Sequence, residues 1–214
     1  RLEYGYRVQQ EFLATAAHEL KTPLALIRAQ LELMPDTEQR NWLLHDVRYM
    51  SRQVQQLLLL AEASERLNYK FIKVDVTEVA AEVVAYLQRM ADNEQVKLRL
   101  ERHIASLILQ SDKGALFTLL KNLLENAIQH SPAGSVVSVD VFSDSIVVRD
   151  HGPGVNDAQL LQLFKRFWRS EQRRDSGAGL GLTICREIAL AHEWSLVASK
   201  MEPGLQFRLS FSLE

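Results

Sequence analysis

Two helical apolar stripes joined by a short turn constrain what this chain can fold into more than any other feature. In the first, Val8, Phe12, Ala16, Leu20, Leu24, Ile27, Leu31 and Met34 recur at three- or four-residue steps, the signature of a long amphipathic helix. Met34-Pro35-Asp36-Thr37 interrupts it, because Pro35 disfavours helical geometry at Met34. A second helical pattern runs from about Thr37 to Leu67, with Thr37 or Asp36 as N-cap. Leu43, Val47, Met50, Val54, Leu57, Leu58 and Ala61 lie close to a heptad seam on it. Leu57-Leu58-Leu59-Leu60 is apolar around most of the helix, more than a hairpin of two helices can cover. The pattern therefore predicts an antiparallel helical hairpin that pairs with a second copy as a dimeric four-helix bundle.

The first stripe carries the run Phe12-Leu13-Ala14-Thr15-Ala16-Ala17-His18-Glu19-Leu20-Lys21-Thr22-Pro23-Leu24. His18 stands at helical i±4 spacing from Ala14 and Thr22, on a line beside the apolar stripe. Pro23 has no N–H, so the Glu19 carbonyl loses its helical partner and a bend is expected there. A lone histidine on a helix is ordinarily a surface residue, and the rest of the chain must decide its role.

With 214 residues, 47% of them hydrophobic, the chain can bury one sizeable core or two smaller ones. Its 25 Lys+Arg nearly balance 27 Asp+Glu, so nothing global points to nucleic acid or to an anionic membrane surface. The single cysteine, Cys185, excludes an intramolecular disulfide framework and reads as a buried thiol within a helical pattern. No apolar run approaches the roughly 20 residues that span a bilayer, and no signal peptide is visible. Beginning at Arg1 without a methionine, the chain is expected to be part of a longer protein.

Asn68-Tyr69-Lys70 ends the helical pattern and places a domain boundary near residue 68. Beyond it, Phe71–Val76 reads as a strand, and Thr77 caps a helix reaching about Ala91. Strands follow at Val96–Leu100 and Leu107–Gln110, then a helix from Ser111 or Asp112 to about His130. Val136–Phe142 and Ile146–Arg149 form a hairpin turned at Ser143-Asp144. A helix over about Leu180–His192 and strands near Leu196–Ser199 and Leu205–Phe211 complete the chain. Helices interspersed with hairpin-connected strands predict an α+β sandwich, its helices on one face of a mixed sheet.

Three segments of this second region carry chemistry. Asn122, Asn126 and His130 recur every four residues and make a polar helical stripe, although asparagine is a poor helix-interior residue. An amide oxygen there could ligate a hydrated Mg²⁺ bound to phosphates, since Mg²⁺ takes few protein ligands and keeps several waters. Asp150-His151-Gly152-Pro153-Gly154 directly follows a strand, pairing an acceptor with glycines that let another backbone approach. Gly177-Ala178-Gly179-Leu180-Gly181-Leu182 opens a helix whose N–H groups could meet an anion. Each segment alone is a weak sign, and neither a Walker A loop nor a strand–GxGxxG–helix unit is present.

The run around His18 and these three segments, in this order, resemble the H, N, G1 and G2 boxes of bacterial sensor histidine kinases. The ATP-binding domain of that family is shared with gyrase-type topoisomerases and mismatch-repair ATPases. Leu163-Phe164-Lys165-Arg166-Phe167-Trp168-Arg169 is similar to the histidine-kinase F-box, with Phe164, Phe167 and Trp168 expected to anchor that loop. The resemblance covers nearly the whole chain. It implies a dimerisation and phosphotransfer hairpin at residues 1–67, then a catalytic ATP-binding domain of the Bergerat type at 68–214.

By that resemblance His18 is the phosphoacceptor, with Glu19 taking or holding the proton on its other ring nitrogen. ATP would be held by Asn122, Asn126, His130, Asp150, Gly152, Gly154, Arg169, Gly177, Gly179, Leu180 and Gly181, with Asn126 on Mg²⁺ and Asp150 on the adenine amino group. Arg166, Arg173 and Arg174 could also meet phosphates. The phosphoryl group would pass to an aspartate of a separate response regulator docked on the homodimer. Glu19-Leu20-Lys21-Thr22 resembles the family's E-x-x-T motif, which implies a phosphatase activity toward that regulator. The resemblance also implies a cytoplasmic portion of an inner-membrane sensor, with its sensory region upstream.

Some positions depart from the family pattern. Gln129 stands where a basic residue is frequent, His192-Glu193-Trp194 where His-Gly-Gly is usual, and Gly204-Leu205-Gln206-Phe207 where Gly-Thr-x-Phe is common. The last two are expected in a late turn and strand away from the boxes. The competing readings are a degenerate nucleotide- or regulator-binding scaffold and an ATPase clamp that does not phosphorylate itself. The intact His18, Asn126, Asp150 and G2 glycines oppose the first, and the H-box opposes the second.

Overall fold

The computed structural model describes residues 2–63, 69–168 and 179–211, with the backbone alone for 2–14, His18 and Glu62. Helices α1 (Leu2–Leu33) and α2 (Glu38–Ala63) form the hairpin, and α1 continues through Pro23. The turn is tied from both sides. Thr37 Oγ1 accepts the Arg40 N–H at 3.2 Å as an N-cap should, and Arg40 Nε donates to the Leu31 carbonyl at 2.7 Å.

The seam inside this hairpin is narrower than the sequence stripes suggested. Ala17, Leu24 and Leu31, spaced by sevens, are buried together with Leu44, Val47, Val54 and Leu58 of α2. Leu20 and Ile27 on α1, Met34 just after it, and Leu43 and Met50 on α2 remain exposed. Residues three or four apart straddle a helix face about 100° wide. One partner helix covers only one edge of that face, so the second edge of each stripe stays open.

The remaining elements make a two-layer sandwich. A five-stranded sheet has the order β2 (Lys97–Arg102), β4 (Val136–Val141), β5 (Ser145–Arg149), β7 (Leu205–Ser210), β6 (Ser195–Lys200). Strand β2 is parallel to β4, and every other neighbouring pair is antiparallel. Strands β1 (Ile72–Asp75) and β3 (Ile108–Ser111) pair separately as a two-stranded antiparallel ribbon. Helices α3 (Val76–Asn93), α4 (Lys113–His130) and α6 (Gly181–Ala191) cover the inner face. Val137, Val139, Val141, Ile146, Val148, Phe207 and Leu209 from the strands join Leu116, Leu119, Leu123 and Ile184 from the helices in one core. The Cys185 thiol is fully buried and donates to the Leu119 carbonyl at 3.4 Å, with burial pushing its pKa up.

Local chemistry shifts two expected features. Asp75, rather than Thr77, caps α3: its Oδ1 accepts the Thr77 N–H at 2.9 Å and the Thr77 hydroxyl at 2.7 Å. A short helix, α5 (Asp157–Leu160), was not anticipated. It is held by a reciprocal pair in which Asn156 Oδ1 accepts the Gln159 N–H and Gln159 Oε1 accepts the Asn156 N–H.

The hairpin meets the sandwich where α2 packs on α6, and Leu60 and Ala63 enter the sandwich core. Tyr69 Oη donates to the Ala63 carbonyl at 2.9 Å while its ring lies 4.8 Å from that of His192. Trp194 packs on the His192 ring at 4.4 Å and edge-on to Phe211 at 5.2 Å.

Candidate nucleotide site and phosphoacceptor helix

Helix α4 is the spine of the candidate site. Asp112 caps it, accepting the Ala115 N–H at 2.9 Å, and Leu116, Leu119, Leu120, Leu123, Leu124 and Ile128 bury its core side. The same register turns Asn122, Asn126 and His130 onto a half-buried line along its other side.

One end of that line meets the loop after β5. A Cβ on Gly152 would lie 2.6 Å from the His130 carbonyl oxygen, so only glycine permits this approach. Asp150, 2% exposed, accepts the Gly152 N–H at 2.8 Å and the Leu205 N–H at 3.2 Å, both on Oδ1. Oδ2 has no hydrogen bond among the described residues. Burial pushes the Asp150 pKa above its ordinary 3.8, against the opposing pull of the Gly152 and Leu205 amides and of His130 and His151.

The other end of the line meets the start of α6. A Cβ on Gly181 would lie 3.7 Å from Asn122 Oδ1. Among the described residues the first turn of α6 has no side-chain cap, so its N–H groups and the helix dipole could serve an anion. Gly179, at φ +69°, accepts the Phe167 N–H at 3.1 Å and so ties this turn to the preceding loop.

Two observations bear on whether a phosphate-bound Mg²⁺ would fit. Asn122 Nδ2 is buried and without a hydrogen-bond partner among the described residues, a donor that an anion could satisfy. The side chain of Asn126, one turn along the same line, has no hydrogen bond among the described residues. A single amide oxygen suits a hard cation that keeps most of its water. The residues present therefore fit the group.

Residues 111–214 match the model of the histidine kinase-, DNA gyrase B- and HSP90-like ATPases, and residues 8–66 match that of the His Kinase A (phospho-acceptor) domain. The chain belongs to the sensor histidine kinases. Sensor protein QseC of Escherichia coli (strain K12) is 31% identical over 205 residues, covering 92% of this chain and 46% of that protein. Sensor protein BasS of the same organism is 36% identical over 189 residues, with 85% and 52% covered. The chain thus spans about half the length of the curated relatives it matches. Among solved structures, Acinetobacter baumannii histidine kinase AdeS gives a TM-score of 0.66 at 22% identity, covering 92% of this chain and 98% of that one. ShkA in complex with AMPPNP gives 0.73 at 21% identity, with 95% and 47% covered. These two likenesses speak to the fold.

The N, G1 and G2 segments approach one another through His130–Gly152 and Asn122–Gly181. A Cβ on Gly154 would lie 3.4 Å from the Gly204 carbonyl oxygen, and Leu180, next to Gly181, is fully buried. Arg169, Arg173, Arg174 and Gly177 lie outside the described residues, as does the His18 side chain. His18 falls within α1, where its neighbours Glu19 and Thr22 are exposed.

Two expectations need correction. Phe164 and Trp168 pack against the core, but Phe167 is 61% exposed with φ +62° and does not anchor its loop through its ring. The loop is held through the Phe167 amide instead. The turn at Gly204 and Leu205 is not remote from the boxes. Asp150 donates its N–H to the Leu205 carbonyl at 3.0 Å, and a Cβ on Gly204 would overlap the Asp150 carbonyl oxygen. Sequence spacing could not reveal this, since β7 reaches β5 only through the sheet. The available signal was Gly204 itself, a glycine at the start of a strand pattern.

Proposed function

We propose that the chain is a protein-histidine kinase core that phosphorylates His18 from ATP and passes the phosphoryl group to an aspartate of a response regulator. The observation that carries this reading is the contact of one polar helical line with both glycine segments, at Gly152 and at Gly181, beside the buried acceptor Asp150. Asp150 Oδ2 takes the adenine amino group. The Asn122 amide and the open first turn of α6 receive the phosphates. Asn126 would hold Mg²⁺, which when bound offsets phosphate charge.

The transfer is a substitution at the γ-phosphorus. A ring nitrogen of neutral His18 forms the N–P bond, the bond to the β-phosphate oxygen breaks, and ADP leaves with that electron pair. Glu19 holds the proton on the second ring nitrogen, which becomes more acidic as the first is phosphorylated. The protein contributes position and complementary charge. Thr22, exposed one turn from His18, would orient a water toward an aspartyl phosphate, giving a phosphatase activity. Thr22→Ala should therefore slow regulator dephosphorylation while leaving autophosphorylation within a few-fold.

Residues 1–67 act as the dimerisation and phosphotransfer unit and 68–214 as the ATP-binding unit. The open edge Leu20, Ile27, Met34 with Leu43 and Met50 is the surface for a second copy of the hairpin. No helix among the described residues is long and apolar enough to cross a membrane. The chain would correspond to the cytoplasmic portion of a membrane sensor. Titration of Mg-ATP into Asn126→Asp tests the site. Affinity should fall at least about tenfold, and native affinity in the folded variant would reject it.

A further inference from the structure

Asp150 and Leu205 face one another at the ends of β5 and β7, continuing the register that pairs Arg149 with Gln206. Residues opposite each other in a sheet send their side chains to the same face. Here it is the inner face, shared with Val148 and Phe207. Leu205 thus flanks the carboxylate proposed to read the base. We propose that Leu205 confines base reading to the single acceptor Asp150 Oδ2, so that ring nitrogen N1 of adenine goes unread. This rests on the ATP reading above.

The two backbone amides held by the carboxylate are already committed. Asp150 Oδ1 holds the amides of Gly152 and Leu205, so neither N–H is free for a base. The adenine amino group and N1 are adjacent on one edge of the ring, so a base donating its amino group to Oδ2 turns N1 toward what flanks Asp150. N1 is an acceptor and needs a donor. A carboxylate offers none, and the leucine side chain offers none. A threonine in its place would supply a hydroxyl able to donate directly or through a water.

The test compares ATP with 1-deaza-ATP, in which a C–H replaces N1, by calorimetry on the full chain with Mg²⁺. The parent should bind the two within about twofold, because no hydrogen bond is lost. Leu205→Thr should bind ATP more tightly than the parent and discriminate against the analogue by about fivefold, the worth of one hydrogen bond. Leu205→Val matches threonine in shape without the hydroxyl and should keep the parent's ratio. A parent that already prefers ATP fivefold, or a folded Leu205→Thr that does not discriminate, overturns the proposal. If Leu205→Thr does not fold, the parent's ratio decides alone. Failure of both nucleotides to bind the folded parent overturns the ATP reading, and this proposal with it.

Discussion

Gly152 approaches His130 so closely that a Cβ on it would lie 2.6 Å from the His130 carbonyl oxygen. That contact seats the loop after β5 on the last turn of α4, and so fixes Asp150 relative to Asn122 and Asn126. Gly152→Ala forces loop and helix apart, because the obstructing atom is backbone. The variant should lose about 1–3 kcal/mol of stability by overpacking. It should also bind Mg-ATP at least about tenfold more weakly. Thermal denaturation and calorimetry measure the two effects, and native affinity would show that the seating is unimportant.

Asp150 makes a pH prediction. Burial raises its pKa above 3.8 in the folded protein. The folded state then holds this proton more tightly than the unfolded chain. Its contribution to stability is present below the unfolded value and is lost as pH rises through the folded one. Asp150→Asn keeps an acceptor for the Gly152 and Leu205 amides while removing the buried charge. The variant should be at least as stable as the parent at neutral pH and should lack this decline, yet bind ATP at least about tenfold more weakly. Urea denaturation across the acid-to-neutral range reads the difference, and a variant less stable at neutral pH would contradict it.

How much was legible in the sequence depended on whether the cause was local. The line Asn122, Asn126, His130 follows from helical period alone, and the caps at Thr37 and Asp112 from side-chain chemistry. The hairpin seam was blurred because Ala16 and Ala17 differ by one position but sit on different edges of the helix, and only the partner helix selects Ala17. The cap at Asp75 was misplaced by two residues because aspartate and threonine are both good caps. Leu205 was not legible as a neighbour of Asp150 because the contact is cross-strand. Register, not sequence spacing, brings it to Asp150.

Glu193 follows the end of α6 with φ +59°, a left-handed position that glycine occupies without strain. Glu193→Gly should raise stability by about 0.5–1 kcal/mol. Differential denaturation of the two chains would reveal the gain, and a loss of that size would mean that glutamate's own contacts outweigh the backbone strain.

The open edge of the hairpin makes a prediction about assembly. Ile27 and Met50 are about half exposed in the single chain. Replacing both with lysine places charge in the proposed dimer seam without touching the buried Ala17, Leu24, Leu31 set. Sedimentation should show the parent as a dimer and the double variant as a monomer with unchanged ATP affinity. A variant that remains dimeric would move the interface elsewhere.

The central claim is that phosphate moves from ATP to the His18 imidazole. The direct measurement incubates the chain with Mg²⁺ and γ-labelled ATP, then follows the protein-bound label in acid and in base. A phosphoramidate on histidine should be lost in acid and survive in base, and His18→Gln should carry no label while still binding ATP. Acid-stable label on the parent, or label that persists in His18→Gln, would contradict the assignment.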